Sequence, residues 1–177
     1  MANTCTNRIT FYANQSTIDW FEKLIQDFTD QDFIDQFGSE GEHNIDRIGC
    51  KWIMKDDWYR DDDTSYMLGF ESAWYPPDTM IKNIVGQLQE YDKTSYAEGR
   101  YWDEGFDPIG IFQCDGPDHF ISAETSVDVD WDNEMFWDDE LEPAFEELEI
   151  HHWAVIVVLI VSVFMILGVK VVLTLGS

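Results

Sequence analysis

The chain has 177 residues, with 36 Asp and Glu against 10 Lys and Arg, a formal net charge of −26. Such an excess repels phosphate backbones and excludes a nucleic-acid-binding module. Apolar residues at 45% and aromatics at 15% are too many for a disordered chain, so a folded core is expected.

In chain order, Asn7 to Ala13 reads as a strand with Ile9 and Phe11 on one face. Asn14 to Ser16 offer capping side chains, and Ile18, Phe21, Leu24, Ile25 and Phe28 recur at helical spacing. This predicts a helix from about Ser16 to Phe28, or, if it continues through Phe33 and Phe37, to a stop near Gly38. Residues 38–50 are polar and turn-rich. Ile48 to Met54 and Met67 to Trp74 read as strands on either side of the charged loop KDDWYRDDD, with Trp74 a core or strand-end packing residue. Pro76-Pro77-Asp78 opens a second helix whose apolar face is Met80, Ile81, Ile84, Val85 and Leu88. Ser95 to Tyr101 is a further strand, and Ile109 to Gln113 and His119 to Ala123 form a hairpin about Gly116-Pro117-Asp118. The order β-α-β-β-α-β plus a hairpin predicts an α+β domain of the ferredoxin-like, split βαβ kind.

Charge and hydropathy divide the chain into three parts: a folded domain over 1–125, an acidic, aromatic-containing linker over 126–150, and an apolar tail over 151–177. Between Tyr101 and Ile150 there are 17 acidic residues and no Lys or Arg. From Trp153 to Val169 the only polar side chain is that of Ser162, and past Lys170 the apolar character continues to Leu175. As a helix, 23 such residues cover about 35 Å, enough for a hydrocarbon core of about 30 Å. A single C-terminal transmembrane helix, a tail anchor, is therefore expected, with Trp153 at the interface and the Lys170 stem snorkelling. Met1 to Arg8 has no basic n-region or apolar h-region. The expected placement is thus single-pass in a host membrane, with the N-terminal domain on the cytoplasmic side. Cys5, Cys50 and Cys114 are widely spaced and odd in number, which reads as free thiols.

The segments MANTCTNRITF, CKW (Cys50 to Trp52), FESAWYPP (Phe70 to Pro77) and YWDEGFDPIGIF (Tyr101 to Phe112) occur in an order that resembles the YubB-type ferredoxin-like family of plasmid- and phage-encoded proteins. The resemblance spans about residues 1–115. It implies a small α+β domain and a phage or mobile-element origin, and brings no catalytic residues.

Motifs for phosphate cradling, dinucleotide binding, metalloprotease zinc and the esterase nucleophile are absent from the sequence. A Cys114–His119 pair can be drawn, but neighbouring Asp115 and Asp118 would raise the thiol pKa, so no enzyme is expected. In DVDWDNEMFWDD, Asp128, Asp130, Asp132 and Asp139 match ligand positions of a calcium loop. Asn133 replaces the Gly, Asp139 the closing Glu, and aromatics interrupt the loop, so the reading is a solvated acidic segment with at most weak Ca²⁺ ligation and no other cofactor. Trp131, Phe136, Trp137, Leu141 and Phe145 are interleaved with acids. Trp131, Phe136 and Trp137 beside Asp138, Asp139 and Glu140 form a candidate surface for a basic protein partner, with the aromatics as anchors. The alternative for this stretch is a spacer holding the domain off anionic lipid. The expected function is a membrane-anchored, non-enzymatic interaction protein of a phage or mobile element, binding a basic partner and in one version mimicking nucleic acid. The alternative is a membrane-associated virion or assembly component, self-associating as a homo-oligomer.

Overall fold

The computed structural model describes residues 3–127 and 142–149. Six strands form one antiparallel sheet: β1 (Thr4–Tyr12), β2 (Ile53–Asp62), β3 (Ser65–Ala73), β4 (Tyr96–Asp103), β5 (Ile109–Gly116) and β6 (His119–Thr125). Their spatial order is β2-β3-β1-β4-β5-β6. The first four strands follow the order compatible with the expected split βαβ arrangement, and the β5–β6 hairpin extends it beyond β4. The architecture is α+β.

Strict alternation in β1 buries Cys5, Asn7, Ile9 and Phe11 and leaves Thr6, Arg8, Thr10 and Tyr12 on the other face. The buried face is covered by α1 (Gln15–Ile25), α2 (Asp30–Phe37), α3 (Asn44–Ile48) and α4 (Asp78–Tyr91). In α4 the five apolar residues expected from helical spacing are all buried, and Pro77 immediately precedes the helix, its carbonyl accepting from Ile81 N–H at 3.0 Å. Met80, Ile81, Ile84, Val85 and Leu88 share one core with Ile9, Phe11, Leu68, Phe70 and Phe112.

The structure corrects the sequence reading at four places. The first helix does not continue through Phe37, because Thr29 and Asp32 form a capping box that starts α2 afresh. The turn-rich stretch contains α3, which ends at Gly49 in the left-handed conformation (φ 90°), where the missing Cβ lets Asp78 approach. Ile48 to Met54 is not one strand. Ile48 ends α3, β2 starts at Ile53, and the charged "loop" KDDWYRDDD is mostly β2. This edge strand carries two irregularities, between Lys55 and Trp58 and between Arg60 and Asp62, and its charges guard an edge that would otherwise invite pairing. Trp74 is not packed away: it stands at φ 70° and is 43% exposed, with Lys51 Nζ 5.8 Å from its ring centroid.

Residues 142–149, which fall in the linker assigned by charge and in the stretch 140–150 that the sequence also allows as a helix about Pro143, form a further helix, α5, that lies against the opposite face of the sheet. The part of β4 to β6 around Trp102, Ile109, Ile111 and Ala123 is thus packed on its outer side as well, whereas the outer face of β1, β3 and β2 has no helix on it among the described residues. No helix among them is long and apolar enough to cross a membrane. The expected span, within 151–177, lies outside the described residues.

Candidate functional site

The residues expected to bind a partner (Trp131, Phe136, Trp137, Asp138, Asp139 and Glu140) lie outside the described residues, as do the calcium-loop residues Asp128, Asp130, Asp132 and Asp139. Among the described residues no group of three or more His, Cys, Asp or Glu side chains could hold a metal ion.

A cleft of about 420 Å³ opens on the outer face, bordered by Arg8, Thr10, Glu98, Arg100, Gln113 and Glu149. Antiparallel register puts Arg8 directly opposite Arg100. Like charges so placed repel, and each guanidinium turns to a carboxylate on its own side. Arg8 crosses over Gly69, where a Cβ would collide with its Nη1, and reaches Asp56 Oδ2 at 2.6 Å. Arg100 turns the other way. Its Nη1 donates to both Glu142 oxygens at 2.7 and 3.0 Å, and its Nε and Nη2 donate to Glu149 Oε1 at 3.2 and 2.9 Å. Burial alone would lower the Arg100 pKa, but the bonds to Glu142 and Glu149 outweigh it and hold the group above its ordinary value.

Glu142 and Glu149 are two helical turns apart and so share a face of α5, with Phe145 between them. The Arg100 guanidinium lies 5.1 Å from the Phe145 ring centroid. Phe145 and Leu148 are buried in a second apolar cluster with Phe106, Ile109 and Ile111, flanked by Trp102, Ala123 and Val127. The Trp102 and Phe145 rings meet edge to face at 6.2 Å. Phe145 is therefore an internal anchor, and not available to a partner while α5 is docked. The sequence signal for this was present in the acidic stretch as the i, i+3, i+7 pattern of Glu142, Phe145 and Glu149, beginning next to Pro143. A helix there was readable; its docking was not, because Arg100 and Ile111 are remote in sequence.

A second cavity of about 330 Å³ lies between α1 and β2, lined by Asp19, Glu22, Lys23, Lys55, Trp58 and Tyr66. Its charges are locally matched: Arg60 Nη1 donates to Asp19 at 2.7 Å and Glu22 at 3.1 Å, and Lys55 Nζ sits 3.7 Å over the Trp58 ring.

At the end of β3, a buried polar knot holds the exposed Trp74-Tyr75 turn. The Asn7 amide nitrogen is within hydrogen-bond distance of the Cys5 and Phe70 carbonyls and Ser72 Oγ, and Ser72 Oγ donates to the Tyr75 carbonyl at 2.7 Å. Buried groups so paired fix a backbone that would otherwise relax from its positive φ.

The thiol–imidazole pair drawn from the sequence is not formed. His119 pairs with Asp115, while Cys114 is buried with its sulfur 3.4 Å from the Gly116 carbonyl. Burial raises the Cys114 pKa, against what a nucleophile needs. All three cysteines are buried and unlinked, as expected. Compared with protein-family models, curated proteins and solved structures, the chain matches none.

Proposed function

We propose that the protein is a membrane-anchored, non-enzymatic interaction protein of a phage or mobile element, built on a ferredoxin-like domain, whose acidic surface binds a basic partner. The observation that carries this reading is the fate of the arginines. All four are ion-paired with carboxylates of the same chain: Arg8 with Asp56, Arg47 with Asp35, Arg60 with Asp19 and Glu22, and Arg100 with Glu142 and Glu149. The side chain best suited to phosphate is thus already neutralised, while acids outnumber bases by 36 to 10. A surface of this kind attracts cationic proteins, speeds their encounter and repels nucleic acid. The strand order supports the ferredoxin-like reading and, with it, the likeness to the YubB-type family. The apolar run from Trp153 to Leu175 supports the anchor.

The test uses the full chain in phosphatidylcholine vesicles with a lysine- and arginine-rich peptide as probe, together with crosslinking in host membranes to identify the natural partner. Binding should weaken steeply with salt and fall when Trp131, Phe136 and Trp137 are replaced by Ala. Salt-independent binding, or full binding by the triple variant, would count against docking through the acidic arm. Capture of further copies of the chain alone would favour the assembly-component alternative.

A further inference from the structure

We infer that the outer face of β1, β3 and β2 is a membrane-apposed surface that lies against zwitterionic lipid, with the α1–α4 layer turned away from the bilayer. This rests on the membrane-anchor reading and adds an orientation to it. The point where the chain leaves the domain carries the argument. α5 does not hang from the rim of the sheet: it is packed on the outer face through Phe145 and Leu148, and its last described residue, Glu149, borders the cleft with Arg8, Thr10, Gly99 and Arg100. These residues belong to β1 and β4, the two middle strands of the sheet. Only Ile150, His151 and His152 separate Glu149 from Trp153, where the apolar run begins. Fully extended, those four steps reach about 14 Å. The exit point therefore cannot stand far above the interface. The helices cover the other side of the sheet, adding a layer about 10–12 Å thick between it and solvent there.

The side chains on this face suit that placement. Tyr12 stacks on Tyr96 with ring centroids 4.6 Å apart. Met54 and Tyr59 are 49% and 51% exposed on the edge strand, large apolar bodies with no partner layer above them among the described residues. Tyrosine is at home at headgroup depth. Glu71 and Glu98 share the face with Arg8 by strand register, and Arg8 is already paired with Asp56, so anionic lipid would be repelled and zwitterionic lipid tolerated. The same docking means that the last part of the acidic stretch is a clamp, and not a free spacer.

The experiment places one reporter on each side of the full chain in phosphatidylcholine vesicles containing headgroup-spin-labelled lipid. Tyr59→Cys labels the outer face and Ile45→Cys, 53% exposed on α3, labels the helix layer; the three native thiols are buried and remain unlabelled. Fluorescence of the label at position 59 should be quenched several-fold more than that at 45. Adding Phe145→Ala and Leu148→Ala should release the domain and equalise the two, and 30 mol% phosphatidylglycerol should reduce the difference. Equal quenching in the otherwise unaltered chain overturns the orientation while leaving the anchor intact. Self-quenching at position 59 that grows with protein-to-lipid ratio overturns it in favour of a second copy on this face. A chain that does not float with the vesicles removes the anchor itself, and the orientation with it.

Discussion

Arg8 and Arg100 face each other across the β1–β4 ladder, yet their guanidinium groups diverge, one toward Asp56 on β2 and the other toward Glu142 and Glu149 on α5. Two cations at neighbouring positions are tolerable because each has its own carboxylates and they share none. Removing either relieves the residual repulsion across the ladder, so Arg8→Ala and Arg100→Ala should couple in unfolding free energy by about 0.5 kcal/mol, the double variant losing more than the sum of the two. A double-mutant cycle by chemical denaturation checks this, and a coupling well above that value would mean that the two arginines act as one unit.

The Arg100 clamp should be modest and salt-sensitive. Its side chain is 34% exposed and those of Glu142 and Glu149 are 53% and 44% exposed, so solvent screens both pairs. Discounted accordingly, each contributes about 0.5 kcal/mol. Arg100→Ala should speed amide exchange in 142–149 by about 2- to 5-fold at low salt and by less at 0.5 M salt. Arg100→Lys should recover only part, since a single ammonium cannot serve both carboxylates with the guanidinium's fork. Exchange unchanged at low salt would show the pairs to be passive.

Phe145 should matter more than Arg100. It is 2% exposed and touches an apolar cluster distinct from the main core. Phe145→Ala removes about 3 kcal/mol of packing, more than the ion pairs supply. The expected result is loss of protection in 142–149 with the exchange of β1, β3 and α4 unchanged. Global unfolding at a much lower temperature, with no local loss first, would instead make α5 part of the cooperative core.

The physics also explains what the sequence disclosed. Helix α4 and strand β1 were legible because one-sided burial imprints a period, visible at Met80, Ile84 and Leu88 and at Ile9 and Phe11. Strand β2 was not, because an edge strand with solvent on one face and two irregularities carries no alternation: Lys55, Asp56 and Asp57 are all exposed. The break at Thr29 was hidden by apolar residues that keep helical spacing on both sides, Ile25 and Phe28 before it and Phe33 and Phe37 after. The arginine cleft depends on contacts 42 and 49 residues apart, beyond any local pattern. Trp74 misled for a related reason: an aromatic at a strand end looks like core until the backbone sign at that position is known.

Gly110 should resist substitution. Tyr101 on β4 lies over it and pairs with Glu124 on β6, and a Cβ at Gly110 would occupy the space of the phenol ring. Gly110→Ala should displace Tyr101, break that hydrogen bond and destabilise the protein by about 1–3 kcal/mol. Tyr101→Phe, which keeps the ring but not the hydroxyl, should cost about 1 kcal/mol. Thermal melts that place Gly110→Ala at or above the parent would refute the crowding argument.

The buried thiols set the alkaline limit of the fold. Burial pushes Cys5 and Cys50 from an ordinary 9.0 up to about 12, and raises Cys114 as well. The folded state then keeps protons that the unfolded chain releases. Their contribution to stability is fully present below pH 9, and is lost as pH rises through 9 toward 12. Tyr12 and Tyr101, also raised by burial and by their bonds to Glu98 and Glu124, steepen the same slope at the upper end. Two measurements check this. Unfolding free energy from denaturant titrations should be flat on the thiols' account between pH 7 and 8.5 and decline above pH 9, with Cys50→Ala lessening the decline. Thiol-specific reagent at pH 8 should modify Cys5 and Cys50 of the native protein about a thousandfold more slowly than a model thiol, in line with their rise from 9.0 to about 12, and Cys114 more slowly than a model thiol as well. Rapid modification of any of the three without unfolding would show that its thiol is reached in the native state, contrary to the burial on which the whole alkaline argument depends.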